Sequence, residues 1–163
     1  MIFVESKRWL EGRAVRIPVR EHDRRRQGAA IDEEHQSPAT LCGVQIAALV
    51  LVAVVAIEHL WFAVLEMVLW TKPIGIKTFR KSEAFAKESA PLAANQGLYN
   101  LFLVAGLVWS LVAAEPQARS LKIFFLACVV VAGVFGGITV SKRIAYLQAT
   151  PAAIGLALVL FSA

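Results

Sequence analysis

LCGVQIAALVLVAVVAIEHLWFAVLEMVLW, Leu41 to Trp70, is an almost unbroken apolar run. Its length of about thirty residues exceeds the ~20 that cross the hydrocarbon core of a bilayer at ~1.5 Å per residue. It is also too long for the ~7–15-residue core of a secretory signal. The crossing portion is expected near Ile46–Leu69, with Trp70 as an interfacial anchor. Yet the run holds Glu58, His59 and Glu66. An ionised side chain at the bilayer centre costs about 2.5–3.5 kcal/mol on insertion scales, so these groups must face protein or water. On a helix, His59 and Glu66 lie about 20° apart and two turns along, with Glu58 about 100° to one side of His59 and Gln45 about 40° to the other. The helix therefore has one polar sector, a stripe for a bundle interior.

The rest of the chain repeats the pattern. Of the 163 residues, 58% are hydrophobic, and the mean hydropathy is +0.62. A soluble domain would have a lower apolar share, about half. Three more apolar runs follow: Leu92 to Ala114, Leu121 to Val140 and Ile144 to Ser162. The links are TKPIGIKTFRKSEAFAKESAP (Thr71 to Pro91), the turn EPQARS, and SKR. Within the first link, Pro73 and Gly75 end the first helix, and a short amphipathic helix near Lys77–Lys87 is expected on the membrane surface. Pro151 is a candidate kink in the fourth helix, of a kind that neighbouring helices absorb. The fold class is all-α, a four-helix transmembrane bundle with a polar N-terminal tail. Residues 1–40 form that tail and 41–163 the membrane domain. The tail has no sustained period and reads as disordered or weakly helical. It is either a solvated segment, a segment whose Arg24–Arg26 run touches anionic headgroups, or an extension upstream of a true start near Leu41 or Val44.

The formal charge of +5 is not a nucleic-acid signature, because the basic residues sit in a mixed-charge tail and in loops. Lys and Arg in short loops set membrane orientation instead. The first and third loops are the basic ones, which places them in the cytoplasm and both termini outside. Cys42 and Cys128 are expected as buried or membrane thiols. There is no CxxC or zinc spacing, and one histidine with two glutamates on one helix is not a metal-ligand set. EHLWF lacks the second histidine of HExxH, and there is no GxSxG element. No metal and no cofactor are expected.

The second helix begins LAANQGLYN, with Asn95, Gln96, Tyr99 and Asn100 close together. Asn95 and Tyr99 share one side, which Gly106 and Ser110 continue. Because helix one ends where helix two begins, Glu66 and Asn95 should lie at similar depth, with Tyr99 slightly deeper. A carboxylate there can accept from amide N–H groups and the phenol. Glu58, His59, Glu66, Asn95, Gln96, Tyr99 and Asn100 are the candidate polar centre, with Gln148 and Thr150 of helix four as further members. In AGVFGG, Gly133 and Gly137 recur at the spacing that lets helix backbones come close.

AIEHLWFAVLEMVLW, LAANQGLYNLFLVAGLVW and FFLACVVVAGVFGG, in that order, resemble a bacterial family of small integral membrane proteins. It is catalogued as domain of unknown function thirteen hundred and four. The resemblance runs from about Val44 to the C-terminus. It implies a four-helix membrane protein of about 120 residues and, with no activity established for the family, no particular activity; the expected location is the bacterial inner (plasma) membrane. Residues 1–40 depart from its pattern.

Three functions fit these residues. One is a small transporter or permeation protein whose Glu/His centre takes a proton or small polar solute. The second is a membrane enzyme on a lipid-like substrate, with Glu66 or Glu58 as acid or base. The third is a non-catalytic partner subunit in which the polar groups only hold helices in register. The expected partners are the lipid bilayer, further copies of the chain, and a small polar or lipid-like ligand, with no nucleic acid.

Overall fold

The computed structural model describes residues 38–162. The expectations for the tail before Pro38 lie outside the described residues. The described chain forms α1 (Pro38–Met67), α2 (Pro73–Phe79), α3 (Glu83–Glu88), α4 (Ala90–Val112), α5 (Gln117–Thr139) and α6 (Lys142–Phe161). Four of these, α1, α4, α5 and α6, are long and apolar enough to cross a membrane. Among the described residues there is no strand.

The long helices alternate in direction and pack in a closed ring: α1 on α4, α4 on α5, α5 on α6, and α6 back on α1. The most extensive seam is α1 with α4. The core combines Val52, Val55 and Ala56 of α1 with Leu107 of α4, Leu126 and Val129 of α5, and Ala152 and Val159 of α6. Lipid tails are as apolar as these side chains, so burial alone does not drive the helices together, and close packing of small residues does. Ala63, Ala93, Gly97, Gly133, Ala149 and Gly155 accordingly fill seam positions. Large apolar groups such as Ile57, Val112 and Ile138 point outward, where a bilayer would meet them.

Gly133 shows the packing rule most sharply. A methyl group there would come 2.7 Å from the Ala149 backbone nitrogen and 3.0 Å from its Cβ. Only a glycine lets α5 approach the α6 backbone at this point. Gly137 faces the Ala145 side chain in the same seam.

The helix ends depart from the apolar runs in instructive ways. α1 stops at Met67, three residues before Trp70, and Pro73 opens α2 at its first turn, where a missing N–H costs nothing. The expected single surface helix is instead two. Arg80 adopts the left-handed conformation (φ 54) that closes α2, and Ser82 Oγ accepts the Phe85 N–H at 3.2 Å to cap α3. The EPQARS turn is shorter than its polarity suggests, because α5 begins at Gln117. There the Glu115 carboxylate accepts the Arg119 N–H at 3.1 Å, a favourable place for an anion beside a helix start. Arg119 and Lys122 are thereby helical residues and not loop residues. In α6 the expected irregularity takes the form of a π turn at Ala145–Ala149, just before Pro151, with the Thr150 N–H donating to the Ala145 carbonyl. Proline cannot donate to the helical ladder, and a wider turn before it removes the clash of its ring with the preceding turn.

Candidate functional site

The polar centre is built on the α1–α4 seam. Asn100 of α4 is buried, and its Nδ2 donates to Glu66 Oε2 of α1 at 2.7 Å. This short bond joins two helices that the chain separates by a whole surface segment. Gly97 makes it possible. One turn before Asn100, it lies against Ala63, Glu66 and Met67, so α4 meets α1 at the level of the carboxylate. Ala93, Gly97 and Asn100 are the buried positions at the start of α4.

His59 lies two turns before Glu66 and is 1% exposed. Its Nδ1 bonds the Val55 carbonyl at 2.8 Å. A carbonyl only accepts, so Nδ1 carries the hydrogen and the tautomer is set. The ring also meets Phe62 edge-on, with centroids 5.9 Å apart. Glu58, half-buried, is the third ionisable group of the stripe.

The remaining sequence candidates are placed elsewhere. Asn95, Gln96 and Tyr99 are exposed on α4, and Tyr99 stacks edge-on with Phe102 at 6.1 Å and not with Glu66. Asn95 lies about 140° around the helix from Asn100, and Tyr99 about 100°. Gln148 is half-buried and Thr150 exposed on α6. Cys42 and Cys128 are free thiols, Cys42 exposed and Cys128 half-buried. Among the described residues no three of His, Cys, Asp and Glu come together as a metal site.

The surface segment is pinned below the polar centre. Trp70 Nε1 donates to Ser89 Oγ at 3.1 Å, and Ser89 Oγ donates to the Phe85 carbonyl at 2.7 Å. The Trp70 and Phe79 rings lie 4.8 Å apart. In α3, Lys87 pairs with Glu83 at 2.8 Å, and that pairing holds the Glu83 carboxyl below its ordinary value.

A second polar cluster, absent from the sequence candidates, lies at the other end of the bundle. It joins Gln45, Glu115, Arg119, Lys122 and Ser162. The signal for it is Lys122, a cation one turn after Arg119 in an otherwise apolar helix.

Four helices long and apolar enough to span a membrane, with a carboxylate and an amide bonded across the α1–α4 seam, define a multi-pass membrane protein. The family model described as "Protein of unknown function (DUF1304)" matches residues 53–160, and the chain belongs to that family. No curated protein and no solved structure matches the chain.

Proposed function

We propose that the chain is a small permeation protein of the bacterial inner membrane in which Glu66 receives and releases a proton or a small polar solute. The observation that carries this reading is the bond from Asn100 to Glu66. A half-buried carboxylate in a spanning helix is held by one amide and retains acceptor capacity on its other lone pairs. Two neutral amides would lock the helices equally well without the cost of a charge. His59 and Glu58 are the next groups along α1 that exchange protons, His59 being about 10 Å along the axis. Four short helices enclose little space, so a pathway needs further copies of the chain. The exposed Asn95, Gln96 and Tyr99 on α4 give such copies a polar face to meet.

The test is flux in proteoliposomes loaded with a pH-sensitive dye under an imposed proton gradient. The native chain is expected to dissipate the gradient and Glu66→Gln to be silent, with unchanged assembly. Equal dye signals from native chain, Glu66→Gln and empty vesicles would remove proton permeation.

The register-lock reading has its own support, since the Asn100 bond spans the most extensive seam. Interhelical hydrogen bonds average only about 0.6 kcal/mol. Under that reading Glu66→Gln changes melting or assembly and no flux.

A further inference from the structure

At the bundle end formed by the starts of α1 and α5 and the end of α6 lies a cavity of about 380 Å³. That is within the range of about 300–1,000 Å³ typical of small-molecule sites. Gln45, Glu115, Arg119, Lys122 and Ser162 supply its polar lining, and Leu49 and Val159 part of its apolar wall.

The two cations here are partly withdrawn from solvent, whereas Glu115 is exposed. The Lys122 side chain is only 12% exposed, with its ammonium 3.3 Å from Glu115. Arg119 Nε is buried with no hydrogen-bond partner among the described residues, and Nη2 reaches the Leu160 carbonyl only at 3.5 Å. A buried guanidinium donor without an acceptor carries a desolvation cost that a bound acceptor would remove. Capping the last turn of α6 accounts for Nη2 and leaves Nε unexplained.

We infer that this cavity binds a phosphate group, held by Arg119 and Lys122. Two cations face one carboxylate, which leaves a single positive charge, the match for a phosphodiester. The planar fork of Arg119 and the point charge of Lys122 are the two common phosphate-binding geometries. The Gln45 amide adds neutral N–H donors, while the Ser162 hydroxyl already donates to the Val159 carbonyl at 3.2 Å and lines the wall. Basic pockets between spanning helices take lipid headgroups in this way. Leu49, about half exposed in the cavity wall, offers an apolar surface for acyl chains.

The experiment is native mass spectrometry of the full chain in mild detergent. The probes, offered separately, are dioleoylphosphatidylglycerol, dioleoylphosphatidylcholine and inorganic phosphate. Phosphatidylglycerol is expected to bind more than phosphatidylcholine, whose choline cation opposes Arg119 and Lys122. The bound fraction should fall at least tenfold in the R119Q/K122Q double variant and stay unchanged in K77Q/R80Q at the opposite end. Inorganic phosphate bound by the native chain and lost in R119Q/K122Q, with neither lipid retained, keeps the phosphate site and assigns it to a soluble ligand. Phosphatidylglycerol retained equally by native chain and R119Q/K122Q, with no phosphate bound, overturns the inference. If the double variant does not fold, Leu49→Trp decides. It keeps both cations and fills the cavity, so undiminished binding of both probes by that variant overturns the inference as well.

Discussion

Asn100 reaches across the α1–α4 seam and places its amide 2.7 Å from the Glu66 carboxylate. The two residues bond because Gly97, one turn before Asn100, has no side chain to hold the helices apart. Removing the donor and removing the charge are therefore different experiments. Asn100→Ala leaves a half-buried carboxylate without its amide and should cost about 1 kcal/mol of stability, read from thermal unfolding in detergent. Glu66→Gln keeps an acceptor for Asn100 and should stay within about a few tenths of a kcal/mol of the native chain. A Glu66→Gln loss as large as that of Asn100→Ala would mean that the charge, and not the bond, holds the seam.

The two glycine contacts should respond differently to a methyl group. At Gly97 the nearest atom is Met67 Cγ, in a side chain that can turn aside, and the Ala63 carbonyl oxygen follows at 3.2 Å, a contact that a few tenths of an ångström relieve. At Gly133 it is the Ala149 backbone, which cannot. Gly133→Ala should cost about 1–3 kcal/mol and Gly97→Ala less, in the same unfolding assay. The reverse order would place the rigid contact on the wrong seam.

Trp70 and Ser89 tie the surface segment to the bundle. Ser89→Ala removes both the acceptor for the indole and the donor to the Phe85 carbonyl. Hydrogen exchange should quicken across α2 and α3, for a loss of about 1 kcal/mol per bond. Unchanged protection there would show that the Trp70–Phe79 ring contact alone suffices.

In α3 the Glu83 carboxyl is held below its ordinary value of 4.5, first by its hydrogen bond to Lys87 and then by that residue's charge. A depressed folded-state value contributes stability that is present above the unfolded value and lost as pH falls through the folded one. Both partners are largely exposed, so screening keeps the contribution small. An NMR titration of the Glu83 side chain should give a midpoint below 4.5 that returns towards it in Lys87→Met.

Some of the architecture follows from local chemistry alone. Apolar runs of about twenty residues must become helices in a bilayer, because no water is there to satisfy the backbone. Hence the number of crossings and the short links were legible, as was the placing of His59 and Glu66 on one face. Within LAANQGLYN, by contrast, four polar side chains crowd into less than two turns. Helical period alone does not say which of them meets α1.

The sequence by itself determined four spanning helices, a polar stripe on the first and glycine spacing on the third. Only the tertiary structure decided that Asn100 meets Glu66 while Asn95, Gln96 and Tyr99 face outward. The same holds for the gathering of Gln45, Glu115, Arg119, Lys122 and Ser162 around one cavity. The physical reason is one of range. Backbone hydrogen bonding and hydropathy act within a helix and are written in consecutive residues. Rotation and depth of one helix against another are set by where small residues let backbones touch, and those contacts join residues far apart in the chain.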